Sequence, residues 1–351
     1  MKGRIVFLDY LRVMACFMVI MVHSCEFFFI DGSEIGIRSM SDGFWVSVID
    51  SAFRCSVPLF VMISGYLLVP VDTPVRKFFS RRLMRVVVPF VIWSVLYATL
   101  PYLWGDMSGD DVVASMLRLA YNFNDAAGHF WFVYMIIGVY LFMPVISPWI
   151  QKVSRRGQEF YLTLWGLSTL FPYIREACGD IYGECYWNEF NILWYFSGFM
   201  GYIVLANYVR RYVDWSVRRS LLTGGVLYVA GYIFTAMVWY GRIPMAATLQ
   251  QLELSWRFCT PNVVMMSFGV FVIVQSLYRN ARENVAVSCI SRLSYGVYLM
   301  HILVLGAVYR LLEGMMPTLW TILCVGVLTF VVCVVIARML EWLPRSRYLL
   351  G

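Results

Sequence analysis

The chain is poor in charge, in histidine and in any clustered metal-ligand pattern. Charged residues make up 14% of its 351 positions, while 61% are hydrophobic. A soluble domain of ordinary composition carries about a quarter charged residues. So little polar residue cannot cover a water-facing surface, which excludes most soluble enzymes, disordered proteins and nucleic-acid binders. No Lys/Arg-rich tract runs beside aromatics, so no nucleic-acid partner is expected despite the net charge of +7. Nine cysteines are scattered without a CxxC or a Cys/His cluster, so no metal is expected. No small-residue cleavage site follows the first apolar segment, which itself contains Asp9, Arg12 and His23, so it is read as a retained span. No internal repeat is visible.

What is present is a series of apolar segments, at about 5–27, 43–69, 83–104, 129–150, 159–175, 188–209, 220–240, 259–278, 293–311 and 318–338. Each approaches the ~20 residues that cross a hydrocarbon core as a helix. They are continuously apolar and do not alternate, which excludes a β-barrel. The expected fold is an all-α polytopic membrane bundle of about ten helices, with residues 1–351 forming one transmembrane domain and no separate soluble domain. Between Gly105 and Gly128 a short amphipathic helix is expected around Val112–Leu119.

Lys and Arg divide unevenly between alternate loops. One set holds 20 of the 28, the other 5, and three lie within spans. Basic loops stay in the cytoplasm, so both termini are expected there. Trp45, Trp104, Trp187, Trp239 and Trp320 fall near span ends, as interfacial anchors would. Cys178 and Cys185 share a loop on the opposite side. A disulfide and two free thiols are equally open readings.

Ionisable groups inside spans are costly and mark function. The first segment has four: Asp9, Arg12, His23 and Glu26. At about 100° per residue they fall on one stripe ~100° wide. Arg12 and His23 lie about 16 Å apart along the axis, too far to touch. Glu26 is one turn from His23 and can reach its ring. A purely structural reading pairs Asp9 with Arg12 near the interface and leaves His23 as an interhelical hydrogen-bonder. The second segment adds Asp50 and Arg54 one turn apart, then Pro58, Ser64 and Gly65. Pro58 is expected to kink it, and Ser64–Gly65 to let another helix approach. The remaining histidines, His129 and His301, also sit in or at the edge of spans.

Five stretches resemble acyltransferase family 3, the integral membrane O-acyltransferases: LDYLRVMACFMVIMVHS, RCSVPLFVMISGYLL, RRLMRVVVPFVIWSVLY, GHFWFVYMIIGVYLFMP and LSYGVYLMHILVL. Arg12 and His23 match the family's pattern of Arg, ten residues, then His. The order runs from residue 5 to about 305, and within the family the chain looks closest to the enterobacterial-common-antigen O-acetyltransferase branch. The resemblance implies acetyl-CoA or another acyl-CoA as donor and a hydroxyl of an extracytoplasmic glycan or glycolipid as acceptor. The setting it implies is a bacterial inner membrane, with surrounding lipid and a homo-oligomer as further partners. On that basis Arg12, Asp9, Arg81, Arg82 and Arg85 are assigned to the donor. His23 is the general base or, on a ping-pong route, the group acylated first; Glu26 orients or polarises its ring, and Arg54 stabilises the oxyanion or holds the donor. His129, Trp131, Ser64, Tyr298 and His301 are assigned to the acceptor. A transporter or flippase that performs no chemistry is the rival expectation, because intramembrane Arg, Asp and His also suit a proton relay.

Overall fold

The computed structural model describes residues 4–103, 105, 107–123, 125–179 and 190–351. Cys185, Trp104 and Trp187 lie outside them, and with Cys185 the proposed disulfide. The regular structure among the described residues is helical apart from one hairpin of two-residue strands, β1 (Ile30–Asp31) and β2 (Glu34–Ile35).

The first helix, α1 (Val6–Glu26), is the axis of the bundle. It packs against α2 (Met40–Phe53), α3 (Ser56–Leu68), α12 (Pro261–Tyr278), α13 (Val285–Leu312) and α14 (Thr318–Leu340). Leu8, Leu11, Ala15, Ile20 and Cys25 are buried between them. A helix surrounded in this way has no lipid-facing stripe wide enough for its charges, so Arg12, His23 and Glu26 must turn into an internal space.

The second segment is one span made of two helices, α2 and α3, broken at Arg54–Cys55. The break comes four residues before Pro58. Proline has no N–H to give the carbonyl of residue 54, and its ring crowds that carbonyl. The expected kink is therefore a full interruption that delivers Arg54 to the bundle interior. Gly65 has the packing role expected of it: a Cβ there would lie 2.9 Å from the Ile203 Cα, so only glycine admits α9 (Met200–Tyr212) at this distance.

The remaining elements are α4 (Val75–Leu103), α5 (Gly109–Arg118), a 3-10 turn over Asp125–Phe130, α6 (Trp131–Lys152), α7 (Arg155–Ser168), α8 (Phe171–Cys178), α10 (Val217–Arg242), α11 (Leu249–Leu252) and α15 (Arg347–Leu350). The expected amphipathic helix is α5, capped by reciprocal Ser108–Asp111 hydrogen bonds. Eight helical segments among the described residues are long and apolar enough to cross a membrane. The two that fall short of the expected ten are 159–175 and 188–209. There the chain forms the shorter α7, α8 and α9, of 14, 8 and 13 residues. These two segments are consecutive, so leaving both uncounted keeps the alternation of the other basic loops.

Trp239 is not an interfacial anchor. It is fully buried, stacked on Trp256 at 4.5 Å and 11°. Trp320 is exposed, as an anchor would be.

Candidate active site

One cavity of about 570 Å³ runs beside α1 and is lined along its length by the polar stripe of that helix. At one end Arg12 meets Arg82 and Arg85 from α4 and Arg292 from α13. At the other, His23 and Glu26 meet Arg54 from the α2–α3 break, His129 from the 3-10 turn, and Glu253 from the segment after α11. Ser64, Tyr140, Ser291, Tyr295 and Tyr298 also line it.

At the basic end, the Arg12 Nη1 donates to the Ser291 Oγ at 2.8 Å, and the Ser291 hydroxyl donates to the Asp9 Oδ1 at 2.6 Å. Arg4 holds the other Asp9 oxygen at 2.6 Å. Arg4 lies before the membrane-spanning segment, and this hydrogen bond pushes its already high pKa further up against the opposing effect of burial. Asp9 is buried and does not line the cavity, so its carboxylate aims Arg12 from behind, directly at 3.5 Å and through Ser291. Arg82 also borders a smaller cavity of about 280 Å³, where Arg81 and Arg210 stand with Phe78 and Pro70. Arg81 thus belongs to the neighbouring space and not to the main one.

The other end is built around rings. The His23 Nδ1 lies 2.8 Å from the Glu26 Oε1, the one-turn contact the spacing predicts. The His23 ring is 5.1 Å from His301 and 6.4 Å from His129, and those two are 5.0 Å apart. The Tyr298 hydroxyl donates to the His129 carbonyl at 2.6 Å, and the Tyr298 carbonyl receives the His301 Nδ1 at 2.5 Å. Tyr298 therefore positions both histidines. His301 is fully buried behind the wall, whereas His129 faces the cavity. Among the described residues neither His129 ring nitrogen has a hydrogen-bond partner, nor does the His301 Nε2. The Leu299 carbonyl, which accepts the Tyr97 hydroxyl at 3.1 Å, also lies beside His129. Buried imidazole nitrogens left open in this way cost about 1–3 kcal/mol unless a guest supplies the missing hydrogen bond. Among the described residues no group of three His, Cys, Asp or Glu side chains is arranged to hold a metal ion.

Arg54 is fixed on two sides. It forks onto the fully buried Asp50, with the Nη2 2.8 Å from Oδ2, and its guanidinium lies 3.9 Å from the centroid of the Trp256 ring. The Trp256 indole N–H is held in turn by the Ser51 hydroxyl at 2.9 Å. A planar cation clamped by its edge and one face has little freedom left, which suits a group meant to meet developing negative charge.

Residues 5–338 match the acyltransferase domain that defines acyltransferase family 3. The chain belongs to that family. No curated protein and no solved structure matches it at a significant level. Membership implies a membrane acyltransferase, and in this acyltransferase the first-helix Arg12 and His23 sit at opposite ends of one continuous space. Of the residues singled out from the sequence, Arg12, His23, Glu26, Arg54, Ser64, Arg82, Arg85, His129, Trp131 and Tyr298 line the main cavity. Asp9, Arg81 and His301 stand outside it. The acyltransferase adds Tyr140, Glu253, Phe258, Ser291 and Arg292, which sequence reasoning did not single out as site residues. Glu253 and Arg292 are the two that carried a signal: Glu253 is the only acid between Gly241 and Arg279, and Arg292 opens an apolar span.

Proposed function

We propose that this protein is an O-acetyltransferase that takes its acyl group from acetyl-CoA on the cytoplasmic side and delivers it to a hydroxyl of a glycan or glycolipid on the other side of a bacterial inner membrane. The observation that carries this reading is the polarity of the main cavity. Four arginines gather at one end and an imidazole–carboxylate pair lies at the other, on one rigid helix. Guanidinium groups are suited to the phosphates of the donor, by planar charge-assisted hydrogen bonds. The ~16 Å from Arg12 to His23 is of the order of an extended phosphopantetheine arm. The thioester then reaches His23 while the nucleotide stays among the arginines.

In the proposed step the acceptor hydroxyl oxygen attacks the thioester carbonyl as His23 takes its proton, with Glu26 orienting the ring. A C–O bond forms, and Arg54 faces the oxyanion of the tetrahedral intermediate. The C–S bond then breaks, and the proton passes from His23 to the departing CoA sulfur. Free CoA and the O-acyl ester are the products.

The test uses sealed vesicles of known orientation containing the full chain. Acetyl-CoA supplied only on the cytoplasmic face is expected to label acceptor on the opposite face and to release CoA on its own side. Labelling that requires donor on the outer face overturns the sidedness. Movement of acceptor without CoA release would instead make the protein a carrier.

A further inference from the structure

The cavity reverses its charge from end to end. The inner end carries Arg12, Arg82, Arg85 and Arg292. At the outer end the wall carries two carboxylates, Glu26 and Glu253, and the cation between them, Arg54, is already forked onto Asp50. Arg257 lies within electrostatic reach of Glu253, and Glu253 within reach of both Arg54 and Glu26. Asp50 meets the charge of Arg54 from behind the wall, so among the carboxylates and guanidinium groups that line this end Glu26 and Glu253 are left facing the space.

The same compartment has an apolar wall. Trp131 and Phe258 both line it, stacked at 5.4 Å and 22°. The Phe258 backbone is fixed by the Tyr202 hydroxyl, which donates to its carbonyl at 2.5 Å. His129, 6% exposed, faces the same space with ring nitrogens that lack partners among the described residues. A neutral imidazole offers one N–H and one lone pair, and a hydroxyl group complements both.

We propose that this outer compartment is a subsite for an uncharged sugar ring, which lays its C–H face on Trp131, backed by Phe258, donates hydroxyls to Glu26 and Glu253, and presents its reacting hydroxyl to His23 with a second hydroxyl on His129. The assignment rests on the acyl-transfer reading and gives the acceptor a chemical class. Sugar hydroxyls are donors, and carboxylates are acceptors with several lone pairs to fill. The axial C–H bonds of a pyranose match an aromatic face as other apolar groups do. A sugar acid would bring a further carboxylate into a confined space already rich in them, where like charges repel strongly.

The test compares octyl β-glucoside with octyl β-glucuronide, below their micellar concentrations, on the full chain in proteoliposomes. CoA release and binding of the tritiated glycosides are both measured. The glucoside is expected to exceed the glucuronide at least tenfold in kcat/KM. Glu253→Gln should shrink that ratio threefold or more, chiefly by raising the glucuronide, and Glu253→Asp should restore it. Trp131→Ala should weaken glucoside binding about tenfold and Trp131→Phe much less. Equal use of both glycosides, or a ratio that Glu253→Gln leaves unchanged, overturns the subsite while leaving acyl transfer intact. Preferential glucoside binding without CoA release from either glycoside overturns acyl transfer and leaves the subsite standing. Neither release nor selective binding would sink both.

Discussion

The Arg54 guanidinium lies over the face of Trp256 at 3.9 Å and is held edge-on by Asp50, four residues earlier. An ammonium cannot reproduce that geometry, because it has no plane to stack and no fork to match a carboxylate. Arg54→Lys is therefore expected to lower CoA-releasing turnover by about 10²-fold, the scale of losing one oxyanion donor. The donor KM should change little. A KM effect with kcat retained would move Arg54 from the reacting carbonyl to the donor's binding contacts.

Asp50 has no exposure to solvent, and removing its charge leaves Arg54 buried without its partner. Asp50→Ala should cost about 3–5 kcal/mol, as broken buried pairs do. Thermal unfolding in detergent reads this as a large drop in Tm. The double variant Asp50→Ala, Arg54→Met should recover much of the stability but none of the activity. Failure of the double variant to recover would show that the fork does more than neutralise charge.

His23→Ala should reduce transfer by about 10²–10⁴-fold, the usual worth of a general base, with insertion into the membrane unchanged. Glu26→Gln keeps a hydrogen bond to the His23 ring but removes the charge, and should fall between the two. If His23→Ala retains transfer and His129→Ala loses it, the base is the histidine on the 3-10 turn.

Glu253 lies outside the membrane-spanning helices, and burial pushes its carboxyl above the ordinary range, against the pull of Arg54 and Arg257. The folded state then holds this proton more tightly than the unfolded chain. Stability falls as pH rises from the ordinary carboxyl value, near 4.5, through the raised one, and is level above it. Glu253→Gln removes that loss. The variant should melt at a higher temperature than the wild type at pH 7, and the difference should shrink as the pH is lowered towards 4.5. A constant difference across that range would mean that Glu253 contributes by its contacts and not by its ionisation.

Much of the site is legible along α1, because four ionisable residues at helical spacing can share only one face. The His23–Glu26 contact follows from a three-residue step, and the Asp50–Arg54 pair from a four-residue step. Contacts between distant parts of the chain are not legible in this way. Ser291 stands between Arg12 and Asp9 from 279 residues away, and nothing in SRLSYG marks it as the residue that aims an arginine. Glu253 reaches the cavity because α11 and the turn after it fold back over the bundle. The interruption at Arg54 was readable as a proline effect, but its position was not, since a proline disturbs the turn before it. Trp239 misled because a tryptophan at a span end looks the same whether it faces headgroups or stacks on another indole. The breaks that divide the segments at 159–175 and 188–209 into the shorter α7, α8 and α9 were not legible for a related reason: an apolar segment reads the same whether or not its helix continues unbroken.

Because Arg12 and His23 belong to one unbroken helix, their spacing cannot adjust to the guest. On the proposed donor route α1 acts as a ruler, and the length of the thioester arm is checked against a fixed mark. A truncated donor such as acetyl-N-acetylcysteamine carries the thioester without the phosphates, so it gains nothing from the arginine end. Its use should be poor and indifferent to Arg12→Lys, whereas use of the full donor should be sensitive to it. One residue inserted between Cys16 and Val22 would lengthen the ruler by ~1.5 Å but swing its two ends ~100° apart. The second effect dominates, because it turns His23 out of the cavity altogether.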